Sequence, residues 1–139
     1  MTRDELEAMI AGCPFHRQLE IALDDFDAAA GWLTLSLSAS ESLSRSDERV
    51  ELHGGVIASL IDIAGDYAVA LRLGRGVPTI GLHVDYLRMA RGTKAIATAK
   101  LVKCGRSIAV ADVEVTDETG ALVAIGRASY SSAAAKAAG

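Results

Sequence analysis

Two periodicities of apolar and polar residues divide this chain. In "WLTLSLS", residues 32–38, Leu33, Leu35 and Leu37 recur at every second position with Thr34 and Ser36 between them, the pattern of a strand with one apolar face. From about Gly54 to Leu73 the apolar positions Val56, Ile57, Leu60, Ile61, Ile63, Ala64, Ala68, Val69 and Leu71 point around nearly the whole circumference of an α-helix, so a long and largely buried helix is predicted there. Thr2 as a cap, with Leu6, Met9 and Ile10 on one side, predicts a short N-terminal helix stopped by Gly12 and Pro14. Strands are predicted from Gln18 to Phe26 and from Gly31 to Ala39, joined through "FDAAAG". The serine-rich "SESLSRSDERV", residues 40–50, reads as a loop leading into the long helix, and "GRGVP" ends that helix. Four further strands are predicted at Thr79–Leu87, Thr93–Val102, Ser107–Thr116 and Ala121–Ser131, with Gly105 and Gly120 free to take positive φ in their turns.

This order predicts one α+β domain over residues 1–139, a long central helix packed on an antiparallel β-sheet. Residues 1–15 form its N-terminal helical region and 132–139 a frayed tail. In "SIAVADVEV" both alternating sets are largely apolar, and one helix covers only one face of a sheet. A second copy of the chain is the expected second cover.

Composition narrows the partners. With 139 residues and 50% hydrophobic content, the chain buries a core without staples. A net charge of -4 and a pI near 5.3 give no general attraction for nucleic acid. Residues 1–12 lack the basic start and apolar core of a signal peptide, and no apolar run is long enough to span a bilayer, so a cytoplasmic protein without membrane insertion is expected. Cys13 and Cys104 have neither redox nor zinc spacing and are expected as free, buried side chains. His16, His53 and His83 show no ligand spacing, so no metal is expected.

The chemistry concentrates on the long helix, where Asp62 and Asp66 stand one turn apart. A carboxylate in apolar surroundings finds a partner or shifts its pKa, and such groups gather at functional sites. The alternative of a water-facing strip weighs more for Asp66, nearer Arg72. Just before the helix, His53-Gly54-Gly55 lets a ligand approach the first-turn N–H groups, which have no intrahelical partner and carry the positive end of the dipole. That environment suits a carbonyl oxygen gaining negative charge. Gly54 and Asp62 are about 12 Å apart along one helix axis, too far to serve one carbonyl, so joint action demands two subunits with antiparallel central helices.

Together, "HGGVIASLIDIAGDYA", "TIGLHVDYLRMA", "VKCGRS" and "VEVTDETGALVAIGRASY" resemble the phenylacetate-degradation (PaaI-like) branch of hotdog-fold acyl-CoA thioesterases, over roughly residues 45–131. The resemblance implies a hotdog fold, a homodimer with two interfacial sites, often paired into tetramers, and hydrolysis of an acyl-CoA whose CoA is part of the substrate, with no further cofactor. It implies Asp62 as general base or nucleophile, the Gly54 N–H as the group polarising the carbonyl, His53 as a positioning residue and Thr79 as a hydroxyl near the attacking water. Arg106, chosen first, and Lys103, Arg88 and Arg91 are the expected cations for the CoA phosphates, the alternative being solvation of sheet edges. The chain departs from the family at Asp47, where an amide is usual and a carboxylate cannot donate in the same way, and at Met89, where proline is usual. Asp66 receives no role from the resemblance. Leu60, Ile61, Tyr67 and Met89 could line or merely support an acyl pocket. The competing functions are a hydroxyacyl-thioester dehydratase and a non-enzymatic acyl-CoA-binding module.

Overall fold

The structure, a computed structural model, describes residues 1–133. Helix α1, Arg3–Gly12, opens with a reciprocal capping box between Thr2 and Glu5, and its Leu6 and Ile10 are buried. A second short helix follows and reaches Gln18, where the first strand is predicted to begin. Pro14 fixes the first turn of α2, Pro14–Gln18, and Glu20 then turns the chain at φ 52, so the first strand, β1, runs over Ala22–Asp27 rather than from Gln18. Strand β2, Trp32–Ser38, buries Leu33, Leu35 and Leu37 as its alternation predicts. Each leucine so buried contributes about 1.5–3 kcal/mol of transfer free energy.

Helix α3 spans Gly54–Leu73 and stops at Gly74, whose φ of 72 supplies the left-handed cap. Strands β3, Thr79–Tyr86, β4, Lys94–Cys104, β5, Ile108–Asp117, and β6, Leu122–Ser131, complete one antiparallel sheet in the order β1-β2-β4-β5-β6-β3. This is the hotdog fold: a long helix wrapped by a sheet.

The sheet meets the helix through small residues. Ala95, Ala97, Ala99, Ala109, Ala111, Ala124 and Ala128 are all buried, and a Cβ on Gly126 would lie 2.5 Å from Ile61 Cγ2. The helix and sheet backbones therefore approach closely. On β5 the inward set is Ala109, Ala111, Val113 and Val115; the outward set begins with Ile108, 51% exposed, but continues into Asp112 and Glu114. The outer face is thus apolar only in part. A stronger unpartnered feature is edge strand β3, exposed along nearly all its length, with Ile80 at 59% and Tyr86 at 54%; Leu87, just beyond it, is 53% exposed.

Two turns differ in detail from expectation. Gly120 takes φ 83, but Gly105 is not among the positive-φ residues; its turn is closed by its N–H donating to Ile108 O at 2.9 Å, and Ser132 Oγ donates to Gly105 O at 2.7 Å. Ser132 is also held by its N–H on Ser107 O at 3.0 Å, so the start of the expected tail is anchored, and its remainder, 134–139, lies outside the described residues. Cys13 and Cys104 are free, and half-buried rather than buried.

Candidate active site

The amino end of α3 has one amide to offer. His53 is the N-cap: its Nδ1 accepts the Gly55 N–H at 2.9 Å, and its carbonyl accepts the N–H groups of Val56 at 2.9 Å and Ile57 at 3.3 Å. Because Nδ1 accepts, the imidazole proton resides on Nε2. Gly55 suits this cap, since a Cβ there would press to 3.1 Å from Nδ1. Among the described residues the Gly54 N–H alone of these first-turn amides has no acceptor. Tyr86 Oη donates to Gly54 O at 2.8 Å and lays its ring beside Gly54, fixing the peptide that follows. In the sequence Tyr86 is one residue of the predicted Thr79–Leu87 strand, with nothing to mark it.

Gly54 lines a cleft of about 380 Å³ bordered by Leu52, Ile57, Met89 and Val123, with Arg45 and Arg88 among its polar residues. The loop behind it is built around a carboxylate that the sequence did not single out. Glu51 is 3% exposed and faces Arg49 at 2.8 Å, Arg91 at 3.0 Å and Arg45 at 3.8 Å. Leu52 N–H on Ala90 O, at 3.1 Å, and His53 N–H on Leu43 O, at 2.9 Å, fasten the segment that delivers His53 and Gly54. Arg91 therefore has a structural partner, whereas Arg88 borders the cleft. Asp47 is exposed and has no hydrogen bond among the described residues.

Two turns along α3, Asp62 is half-buried and accepts a 2.7 Å hydrogen bond on Oδ1 from Thr79 Oγ1. The partner is a neutral hydroxyl, since no ion pair among the described residues includes Asp62. Tyr130 Oη donates to Asp62 O at 2.9 Å, with that hydroxyl where a Cβ on Gly65 would stand. Burial drives the Tyr130 phenol well above its ordinary range, with the Asp62 and Asp66 charges adding to the rise. Asp66 does not face open water: Val77 N–H donates to its Oδ1 at 2.8 Å. Burial pushes its carboxyl up to about 6; the Val77 hydrogen bond opposes this and the Asp62 charge adds to it. Tyr67 is buried, with its hydroxyl 3.3 Å from His16 Nδ1, and burial pushes it up to about 12. His83 pairs with Asp85 on the outside of the sheet at 3.2 Å. No cluster able to hold a metal ion occurs among the described residues.

The expected site residues thus fall into two groups. The register aligns Thr79 with Tyr130, Ala109 and Cys104, so Asp62, Thr79 and the Lys103–Arg106 turn share one end of the sheet. It aligns Tyr86 with Ala124 and Val115, so Gly54, His53, Arg88 and Arg91 share the other. Thr79 and Tyr86 are about 23 Å apart along β3. Within one chain, Asp62 and the Gly54 amide do not converge.

Comparison with known proteins gives a consistent picture. The family model described as "Thioesterase superfamily" matches residues 51–124. The "Medium/long-chain acyl-CoA thioesterase YigI" of Salmonella typhimurium is 31% identical, over 89% of this chain and 88% of that protein. A solved structure from the thioesterase superfamily is 37% identical, with a TM-score of 0.87, over 92% of this chain and 96% of its own. The PaaI protein of the Escherichia coli phenylacetic acid degradation operon, 22% identical, shares the fold at a TM-score of 0.80 over 92% and 90% of the two chains. No helix among the described residues is long and apolar enough to cross a membrane.

Proposed function

Since the chain belongs to the thioesterase superfamily and is a thioester hydrolase of the acyl-CoA type, we propose that Asp62 and the Gly54 amide carry the reaction from opposite sides of a homodimer interface. The observation that carries this reading is the Asp62–Thr79 pair: an acid on a buried helix, held by a hydroxyl and not by a cation. A carboxylate in an ion pair would be a poor base, whereas one oriented by a single neutral donor keeps Oδ2 for water or for the substrate.

Assembly supplies the missing half. The unpaired edge of β3 bears exposed Ile80 and Leu82, and such an edge is a template for a second copy. Antiparallel pairing of two β3 edges brings the Tyr86 end of one subunit to the Thr79 end of the other. Each resulting site combines Gly54 and Arg88 from one chain with Asp62, Thr79, Lys103 and Arg106 from its neighbour. The cations then flank both sides of the entrance, suited to the CoA phosphates, with Arg91 contributing through Glu51 to the loop shape.

In the reaction, the thioester carbonyl oxygen accepts the Gly54 N–H. Asp62 takes a proton from water as the water oxygen attacks the carbonyl carbon, and collapse of the tetrahedral oxyanion breaks the C–S bond. The thiolate takes up the proton, leaving the free acid and CoA. Attack by the carboxylate itself, through an anhydride that water then opens, has the same net balance. The apolar border of the Gly54 cleft and the name of the Salmonella relative support medium to long acyl chains.

The deciding experiment is thiol release from short, long and aromatic acyl-CoAs by wild type and Asp62→Asn. Release by wild type alone supports the scheme; equal release by both removes Asp62 from it. Binding without release from any acyl-CoA would favour a non-enzymatic module.

A further inference from the structure

Asp66 is a half-buried acid with no task in the scheme above. Its Oδ1 holds the Val77 N–H at 2.8 Å, and its Oδ2 lies against Gly76, where a Cβ would come to 3.4 Å. Val77 is followed by Pro78, whose fixed φ limits the freedom of the link, and then by Thr79, whose hydroxyl returns to Asp62. The chain thus leaves α3, turns at Gly74, and is tied back to the same helix at two points one turn apart. Asp66 makes the first tie and Asp62 receives the second.

We propose that Asp66 is a positioning residue for hydrolysis, clamping the Val77 amide so that the Thr79 hydroxyl is held on Asp62; this rests on the reading of Asp62 given above. Thr79 needs such a clamp because it opens an exposed edge strand and the β3–β6 register shifts between Thr79 and Gly81. Ser131 N–H on Pro78 O, at 2.8 Å, holds the same link to β6, so the tie at Val77 is what sets its distance from the helix.

The charge on Asp66 has a consequence for pH. The titratable groups around it are Asp62 and Tyr67 on its own helix and Tyr130 from β6, with His16 of α2 against Tyr67. Arg75 stands in the same link but directs its guanidinium to the carbonyls of Ser132 at 3.2 Å and Ala133 at 2.7 Å. No ion pair among the described residues includes Asp66, so its protonation follows burial and the Asp62 charge, and falls near 6. A neutral carboxyl accepts a hydrogen bond more weakly than a carboxylate, so the clamp loosens as the pH falls through that value.

The test compares kcat and KM for acyl-CoA in wild type, Asp66→Ala, Asp66→Asn, Thr79→Val and the double variant Asp66→Ala/Thr79→Val. Asp66→Ala is expected to lower kcat about tenfold or more with KM within about twofold, as loss of orientation does. Asp66→Asn, which retains an oxygen acceptor for Val77, is expected to recover most of the rate at about pH 8 and to lose the ionisation near 6 from the kcat–pH profile. The double variant is expected to match Thr79→Val alone, since both act through one hydroxyl. Independent, multiplying losses in the double variant, or full kcat in Asp66→Ala, overturn the proposal while leaving hydrolysis intact. If Asp66→Ala does not fold, an Asp66→Asn profile that keeps the ionisation near 6 overturns it instead. Wild type inactive on every acyl-CoA sinks the hydrolysis reading and this role together.

Discussion

Thr79 and Asp62, 17 positions apart in the chain, are joined by a 2.7 Å hydrogen bond from the threonine hydroxyl to the aspartate Oδ1. The bond places a hydroxyl at the edge of the sheet and an acid on the central helix in a single constellation. If the carboxylate is the group that activates water, Asp62→Asn keeps the shape and the hydrogen bond but removes the base. Its kcat for acyl-CoA should fall by about 10²-fold or more with the fold retained. Circular dichroism and thiol release on the same samples check both halves of this expectation.

Gly54 allows a backbone group to be tested by substitution. It occupies the first position of α3, where proline is tolerated, and His53 at φ -63 and ψ 141 already has the extended conformation that precedes proline. Gly54→Pro deletes the free N–H and leaves the helix start intact. The loss expected for one oxyanion donor is about 10²–10³ in kcat, whereas Gly54→Ala, which keeps the N–H, should lose much less. Equal losses in the two variants would point to crowding against Tyr86 instead.

Stability should respond to Asp66 with a definite sign. Its carboxyl rises from an ordinary 3.8 to about 6 on folding, so between these values the folded chain binds more protons than the unfolded one, and stability falls as pH increases. The charge costs stability above about 6 and nothing below about 3.8. Asp66→Asn should therefore raise Tm at about pH 8, by an amount corresponding to at most about 3 kcal/mol, and the gain should vanish at about pH 3.5. Denaturation curves at the two pH values separate this outcome from a pH-independent effect of the amide.

Glu51 should matter through the loop it organises. Removing a buried carboxylate that accepts from Arg91 and faces Arg49 and Arg45 costs about 1.5–3 kcal/mol, so Glu51→Ala should lower Tm by several degrees and raise hydrogen exchange at His53. A variant as stable as wild type would reduce the arginines to surface solvation.

Much of this architecture is visible in the residue pattern. The all-round apolar periodicity of α3 and the leucine alternation of β2 each allow one structure, and the glycines and proline after the helix mark where it must stop. The start of β1 was less legible because residues 18–21 carry no clear period, and Pro14 outweighed their strand propensity. At the site, Asp62 and Gly54 stood out as polar or small positions in an apolar helix. The resemblance, and not the pattern, supplied Thr79. Glu51 and Tyr86 were invisible for a physical reason: their significance lies in contacts with residues 40 and 32 positions away. Asp66 was legible as an anomaly, but its burial depends on the path of the link at Val77, which no periodicity encodes.

The alanine-lined seat of the central helix also bears on how such a protein can diversify. Where Gly126 leaves no room for a Cβ and Gly65 faces the Tyr130 hydroxyl, the layer between helix and sheet is filled. On the reading proposed above, an acyl chain is accommodated elsewhere, at the cleft beside Gly54. The residues that would measure it there, such as Leu87 and Met89, lie outside the sealed layer. Substitutions at such positions leave the sealed layer untouched, so selection on one need not constrain the other.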